Sequence, residues 1–473
     1  MKLFRDPKSP KGQMFLLPLS VDEFVAKDSK ARIIGDIIDC LSCDEFYEKY
    51  LGGGSPAYDP KMMLKILVFG YEVGIRSSRK IAAAVEQDLR FMYLCEMSDP
   101  SYRSIARFRA ENLELIKKLF KKTVESSKEL GLVMLEHVSI DGTKLEANVS
   151  REETYSKARV DRSLERINEK IDKILEEAQT ADDAEDAEYG DKRGDEIPEE
   201  LKDANARKER LEQIKKELEE SGKQAIAFTD KDSRVMKTRQ GNKPAYNGQA
   251  AVDGKSQIII AASVTQNEND YGQAVEILEQ AEANAGGKPE IVTADGGYYT
   301  AQTLRDLEDH DINAYIPDSR TNKESDSPEY RYDSENNEYI CPAGRILRFS
   351  RERTVKGLEY LIYRCSQCQG CKMIDKCKPT GRRPIKELYI RKNYEAEERM
   401  RSKMETDEGK SIYRLRKQIV EPVFGNIKWN KGIRRLLLRG FKGAQIEFNL
   451  ACACHNIGKL CQIWGKTPVN AIR

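Results

Sequence analysis

Three acidic residues in separate parts of the chain are placed to hold a metal: Asp141 in Val-Ser-Ile-Asp-Gly-Thr, Asp295 in Ile-Val-Thr-Ala-Asp-Gly-Gly, and Glu421 in Ile-Val-Glu-Pro-Val-Phe-Gly. Each aspartate closes a short apolar run and is followed at once by glycine. The expectation is a carboxylate at a strand end, where the backbone turns away. Mg2+ takes a few such hard oxygen ligands and keeps open positions for water and phosphate oxygens. The implied chemistry is phosphoryl transfer on a polyphosphate or nucleic acid. Any one of the three alone would be read as a turn aspartate or a surface glutamate; the combination carries the inference.

Cysteines form a second constellation. Cys341 in Tyr-Ile-Cys-Pro-Ala-Gly is followed by Cys365, Cys368, Cys371 and Cys377, with two-residue gaps and then a five-residue gap. Such spacing lets neighbouring thiolates close on one tetrahedral ion, so structural Zn2+ is expected, with an iron–sulfur cluster as the alternative. Five cysteines compete for four places. Cys452, Cys454 and Cys461 lie in an apolar helical run and, with Cys40 and Cys43, read as buried core.

The stretches Ser-Ile-Asp-Gly-Thr-Lys-Leu-Glu-Ala-Asn, Thr-Ala-Asp-Gly-Gly-Tyr and Arg-Lys-Gln-Ile-Val-Glu-Pro-Val-Phe-Gly-Asn-Ile-Lys, in that order with a cysteine cluster before the third, resemble the DDE transposases of bacterial insertion sequences. The resemblance spans nearly the whole chain. It implies a ribonuclease-H-like mixed α/β core in which Asp141, Asp295 and Glu421 hold two Mg2+ ions, Mn2+ substituting, and cut and rejoin double-stranded DNA at transposon ends. It also implies a zinc set of Cys341, Cys368, Cys371 and Cys377, with Cys365 spare. Relatives often carry Tyr-x2-Arg-x3-Glu-x6-Lys around the glutamate. Counted back from Glu421, those positions are Arg414, Lys417, Glu421 and Lys428, so the tyrosine reads as replaced and the arginine as softened to lysine. A ribonuclease-H-like nuclease without strand transfer and a non-catalytic DNA-binding derivative are the alternatives.

The 473 residues carry 80 basic and 79 acidic side chains, so global charge says nothing about partners. Local charge says more. From Lys376 to Lys442 there are 20 Lys/Arg against 8 Asp/Glu, and from Ala181 to Glu200 there are 10 acids against 2 bases. A basic segment beside metal carboxylates suits a phosphate backbone. Lys428, two helical turns beyond Glu421, would reach the adjacent phosphate, and Arg434, Arg435 and Arg439 extend the track. No apolar run reaches membrane-spanning length and the N-terminus lacks a signal-peptide core, which predicts a cytoplasmic, nucleoid-associated protein. The three histidines, His137, His310 and His455, sit in no nucleophile or zinc-hydrolase motif and read as structural.

The elements that must position these residues follow from periodicity. Residues 1–135 read as short helices, from Pro60 at a first turn onward, in a helix-turn-helix-like domain whose exposed bases would be Arg76, Arg79, Lys80, Arg103, Arg107 and Arg109. The catalytic core is expected over 136–318 and 390–473, forming a homodimer or higher oligomer on DNA. Its strands are Val138–Asp141, Tyr246–Val252, Ile258–Val264, Glu290–Asp295 and Ile312–Pro317, with helices over Asp270–Ala283 and Thr300–Asp309. A helical hairpin, with Leu164, Ile167, Ile171 and Ile174 on one arm and Leu211, Ile214 and Leu218 on the other, interrupts it over 151–225. The zinc insertion occupies 319–389. Pro422 predicts a kink or a helix start at Glu421.

Overall fold

The computed structural model describes residues 20–47, 57–149, 154–189, 199–222, 225–318, 330–333, 335–355, 358–377, 385–391 and 394–464. Residues 1–19, the middle of the acidic stretch at 190–198, and residues 378–384 of the basic segment lie outside that description.

A mixed sheet organises the molecule. Its strands are β1 (His137–Glu146), β2 (Arg234–Thr238), β3 (Gly241–Asp253), β4 (Ile259–Thr265), β5 (Ile291–Ala294) and β6 (Ala314–Tyr315). β3 runs antiparallel to β1, and its far edge takes β2 along its first residues and β4 along its last. β5 joins the other side of β1 in parallel, and β6 joins β5 in parallel. Every residue of β3 from Ala245 to Asp253 is buried, as a central strand covered on both faces must be.

Helices supply the cover. The N-terminal half contributes α1 (Lys30–Asp39), α2 (Pro60–Glu72), α3 (Ser78–Gln87), α4 (Tyr102–Glu111) and α5 (Leu113–Glu129). Pro60 occupies the first turn of α2, and Asp59 Oδ1 accepts from Met62 N at 2.9 Å, so both start signals act together. Further along come the paired α6 (Lys157–Tyr189) and α7 (Glu199–Ser221), then α8 (Ala274–Ala285), α9 (Ala301–Asp309), α10 (Tyr394–Glu405), α11 (Asp407–Gly425) and α12 (Gly440–Trp464). One apolar core runs unbroken from α1 and α2 through the sheet to α12. The N-terminal helices are therefore packed onto the sheet's own cover.

Two regions keep cores of their own. Val160, Ile167, Leu211, Ile214 and Leu218 pair α6 with α7, the self-packed antiparallel hairpin that its periodicity suggests. Beyond β6 a five-stranded antiparallel sheet holds the cysteines: β7 (Arg331–Asp333), β8 (Glu338–Ile340), β9 (Ile346–Val355), β10 (Leu358–Cys365) and β11 (Lys386–Arg391).

Several expectations are corrected. β1 does not turn at Asp141-Gly142 but continues to Glu146. The helix expected from Asp270 begins at Ala274, leaving Asp270 in the preceding loop, and the strand expected over Ile312–Pro317 shortens to Ala314–Tyr315. α11 continues through Pro422 and passes into a five-residue π-helix, Asn426–Asn430, so Glu421 sits inside a helix. The proline cannot donate to the Gln418 carbonyl one turn back, and the Gln257 side chain takes that place, Nε2 to O at 2.9 Å. Cys40 is exposed, whereas Cys43, Cys452, Cys454 and Cys461 are buried.

Candidate active site

The register of β1 on β5 brings the two aspartates together. Ile140 lies opposite Ala294, the last residue of β5. The next residue on each chain is Asp141 and Asp295, so both carboxylates stand where the parallel pairing ends, the carboxyl end at which open α/β sheets bind ligands. Asp295 caps the short turn after β5, its Oδ1 accepting from Gly297 N at 2.6 Å, while Asp141 Oδ1 accepts from Gly142 N at 2.8 Å. Burial, with the charge of Asp295 beside it, pushes the Asp141 carboxyl up to about 6 even though the Arg416 guanidinium acts the other way.

A third carboxylate from an unexpected place completes this end of the sheet. Asp270 Oδ1 accepts from Asn247 Nδ2 at 2.7 Å and from Gln249 Nε2 at 2.6 Å, with Lys144 Nζ 3.9 Å away. A side chain at Gly142 would collide with Asp270 Oδ1, and one at Gly297 would stand 3.1 Å from its Oδ2. The glycines behind the two motif aspartates therefore make room for a carboxylate, which explains Gly142 in the middle of an unbroken strand. Gln249 also accepts from the hydroxyl of the buried Tyr298, fixing the amide from behind. Lys144, half-buried beside these acids, has its amine pushed down by desolvation, against the pull of Asp270, Asp295 and Asp141.

From the other side comes α11. Arg416, 8% exposed, places Nη2 3.0 Å from Asp141 Oδ2. Tyr413, one turn earlier, has its hydroxyl pushed up by burial, within the field of Arg416, Asp295, Asp141 and Glu421. The tyrosine and arginine that the spacing count declared replaced are thus present, each one residue upstream of the position counted from Glu421. Glu421 itself is exposed on α11, on the side shared with Tyr413 two turns before. Lys428 is half-buried in the π-helix, its amine pushed down by desolvation and by Arg239, and the acids that act back on it are Asp141 and Glu146. Single π-helical turns of this kind are frequent at functional sites.

The predicted bases divide by what they do in the fold. Arg103 and Arg107 are exposed on α4, and Arg103 and Arg79 both lie over the ring of Tyr102. Arg109 is buried, donating to the Arg76 carbonyl at 2.7 Å; Arg76 donates in turn to the carbonyls of Gly432 and Arg435. Those two residues, expected on an exposed basic face, instead link α4 through the turn after α2 to the segment after the π-helix. That segment bridges the end of β1: Glu146 N donates to Arg434 O at 3.0 Å and Leu436 N to Glu146 O at 2.8 Å. Arg435 and Arg439 donate to the carbonyls of Val149 and Asn148, and Arg434 lies 4.4 Å from the ring centre of the exposed Trp429.

Cys341, Cys365, Cys368, Cys371 and Cys377 line one small cavity of the second sheet, with Lys386 at its edge. Cys341 begins a tight turn in which Gly344 has φ of +75° and Arg345 N donates to the Cys341 sulfur at 3.4 Å. Among the described residues no three His, Cys, Asp or Glu side chains converge as a group that could hold a metal ion. The histidines serve the fold: His137 bonds Thr293, His310 pairs with Glu279, and burial holds the His455 ring down at about 4.

Comparison with known families agrees with this layout. Residues 19–111 match the transposase domain family DUF772, and residues 340–461, which carry the cysteines, Arg416, Glu421 and Lys428, match the transposase DDE domain. No curated protein matches the chain. Among the described residues no helix is long and apolar enough to cross a membrane. Two transposase matches, one covering the N-terminal helices and one the helix that crosses the aspartates, identify the chain as a DDE transposase of the insertion-sequence kind, an enzyme that cleaves DNA and transfers its strands.

Proposed function

We propose that Asp141, Asp295 and Glu421 are the catalytic carboxylates of this transposase. The observation that carries the reading is the Ile140–Ala294 register, which sets two aspartates from segments 154 residues apart side by side under α11. The donor set is all oxygen and fits Mg2+ or Mn2+, the ions that such transposases generally use. When bound, two such ions supply activation of a water or 3′-hydroxyl and stabilisation of the leaving oxygen. The chain's own residues do the rest. Arg416 neutralises Asp141 and holds α11 against β1; Lys428, desolvated, offers its ammonium to a phosphate oxygen beside the acids. Lys428, Arg434, Arg435, Arg439, Arg103 and Arg107 form the DNA track, with Arg435 and Arg439 steadied by the backbone carbonyls to which they donate.

The antiparallel order β4-β3-β1 joined to parallel β5 and β6 supports a ribonuclease-H-like core over 136–318 and 390–473, interrupted by the hairpin at 151–225. The short helices of 1–135 are read as a helix-turn-helix-like end-recognition domain. The region 319–389 is read as a zinc insertion, with Cys341, Cys368, Cys371 and Cys377 as ligands and Cys365, the most buried of the five, held in reserve. On DNA the protein acts as a homodimer or higher oligomer, in the bacterial cytoplasm at the nucleoid.

The test is cleavage and strand transfer on DNA carrying the element's ends, using Asp141→Asn, Asp295→Asn and Glu421→Gln. Each substitution is expected to abolish both steps while end binding is retained. Normal turnover by any one of them removes that residue from the trio.

A further inference from the structure

The helical hairpin that interrupts the core is closed by its own apolar residues, Val160 and Ile167 of α6 against Leu211, Ile214 and Leu218 of α7. Beside them a cavity of about 600 Å3 opens between the two helices, lined by Tyr155, Arg159, Ser163, Arg207 and Arg210 with two apolar neighbours. Three guanidiniums and two hydroxyls line it, and no lining residue is acidic. The hairpin's lysines are arranged otherwise: Lys157 pairs with Glu219, Lys173 with Glu177, Lys215 with Asp161 and Lys216 with Glu220, as on a solvated helical face. The arginines are held by rings. Arg159 lies 5.5 Å from the ring centre of Tyr155 and donates to the Thr154 carbonyl at 3.0 Å, and Arg210 lies 4.0 Å from the ring centre of Phe228. Stacking fixes the plane of a guanidinium through its face, the arrangement that suits bidentate donation to phosphate oxygens. Arg207 is exposed and takes neither a hydrogen bond nor an ion pair among the described residues.

The root of the hairpin is fixed beside the basic segment that follows the π-helix. On the entering side, Asn148 and Val149 accept from Arg439 and Arg435, and Thr154, five residues beyond Val149, is already paired with Ala227. Five residues reach at most roughly 18 Å, about half a turn of duplex. On the leaving side, Asp230 Oδ1 accepts from the hydroxyl of the buried Tyr246 at 2.6 Å, and Asp232 Oδ2 accepts from Phe441 N at 2.9 Å. A duplex that follows Arg434, Arg435 and Arg439 therefore meets the hairpin next.

We propose that the groove between α6 and α7 is a second binding site for the DNA backbone, in which Arg159, Arg207 and Arg210 take phosphate oxygens of the duplex beyond the Arg434–Arg439 segment. Tyr155 and Phe228 are the platforms that hold two of the three. The site lies outside both the acidic end of the core sheet and the cysteine sheet, and it gives the hairpin a purpose that self-packing does not.

The experiment is equilibrium binding of the full-length protein to end-bearing duplex over a series of salt concentrations, without divalent cation so that no strand is cut. The double variant Arg207→Gln with Arg210→Gln is compared with the unmodified protein, with the charge-matched Lys173→Gln plus Lys216→Gln on the same hairpin, and with Arg434→Gln. Melting temperature is read in parallel. Losing two phosphate contacts should lower the slope of log affinity against log salt by about 1.8. Between about 50 and 200 mM salt the arginine variant should then lose roughly tenfold less affinity than the unmodified protein, for all sequences alike. The lysine variant should behave as the unmodified protein does. An unchanged slope in the arginine variant beside a reduced one in Arg434→Gln overturns the proposal and leaves the Arg434–Arg439 track in place; unchanged slopes in both overturn the track as well. An equal fall in the lysine variant marks a diffuse field and overturns the site. A change in which end sequences are bound puts bases in the groove and overturns the backbone assignment. Should the double arginine variant melt early, Arg207→Gln alone decides: a slope lower by about 0.9 supports the site, and an unchanged one overturns it.

Discussion

The acidic end of the core sheet and the cysteine sheet are both places where several side chains of one chemical kind gather, but they are assembled in opposite ways. Asp141, Asp270, Asp295 and Arg416 come from four elements spread over most of the chain, and only strand register and helix packing bring them together. The cysteines come from one stretch, on turns a few residues long, over a core of little more than Leu347, Tyr363 and Cys365. A site made by register presupposes the whole fold, so damage to it shows in chemistry before stability. A local site on a sheet with so small a core contributes to folding itself, as structural metal does in small domains.

Glycine-to-alanine changes separate the two regions most sharply. At Gly142 a methyl would meet Asp270 Oδ1 and, at 2.7 Å, Gln249 Nε2, so Gly142→Ala must push Asp270 from its seat. The expected result is loss of DNA cleavage by roughly 100-fold or more, with overpacking costing about 1–3 kcal/mol. At Gly344 a methyl meets open space, and only the φ of +75° opposes it. Gly344→Ala should cost about 1 kcal/mol and leave cleavage of pre-bound ends unchanged. Equal effects on cleavage from both would mean that the cysteine sheet also touches the reacting DNA.

Replacing Cys368 and Cys371 together by serine tests the other side. Elemental analysis should find zinc near one per chain in the unmodified protein and little in the variant, and protease should then cut between residues 331 and 391 while the core sheet stays resistant. A metal-free unmodified protein with the same protease resistance would show that the cavity closes without an ion.

What the sequence made legible follows the same division. Five of the six strands of the core sheet, the hairpin and the cysteine cluster could be read because each leaves a local signature, in period, length or spacing, whereas the edge strand β2, Arg-Val-Met-Lys-Thr, was not anticipated. Asp270 could not: it lies in Asn-Glu-Asn-Asp-Tyr with no apolar run beside it, and its importance exists only across the sheet. The one available hint was Gly142, a glycine without a turn. Arg416 and Tyr413 were missed for another reason, because a spacing counted rigidly back from Glu421 lands one residue away, on Lys417 and Arg414. Helix packing chooses which side chain faces Asp141, and it chose Arg416. Arg76 and Arg109 were misassigned because basic side chains in a run of short helices read as solvent-facing, whereas here they bond backbone carbonyls.

The raised Asp141 carboxyl gives the acidic site a pH signature of its own. Because it titrates at about 6, above its ordinary value of 3.8, its ionised form is disfavoured by burial and by Asp295, and protons compete with a cation there. The folded-state value lies above the unfolded one, so this group's contribution to apo-protein stability is present below about pH 4 and is lost as pH rises toward 6. A divalent cation restores it only where the carboxyl is ionised. Thermal melting with and without Mg2+ should therefore show a stabilising shift at pH 7.5 that fades as pH falls through about 6. A shift that persists undiminished at pH 5 would place the cation elsewhere.

The smallest expected effect concerns how α11 is held. Pro422 has no N–H, so the Gln418 carbonyl loses its helical donor, and Gln257, from the turn between β3 and β4, supplies one at 2.9 Å. Gln257→Ala should destabilise the protein by about 1 kcal/mol, the usual net worth of such a bond. The cause can be isolated by a double-mutant cycle with Pro422→Ala, which returns an N–H to the helix at the place where Gln257 reaches in. In that background the Gln257 substitution should have almost no effect through this bond, because the Gln418 carbonyl is satisfied within α11. If instead the two changes simply add, Gln257 acts through its other contact, the 3.0 Å bond that its Oε1 accepts from Lys459, and the helix that carries Arg416 and Glu421 is positioned by its apolar face alone. The cleavage rate divides the same two cases. A bond that sets the helix's position across β1 should alter the rate in Gln257→Ala and restore it in the double mutant, since displacement of a catalytic group by a fraction of an ångström is felt more strongly in chemistry than in stability.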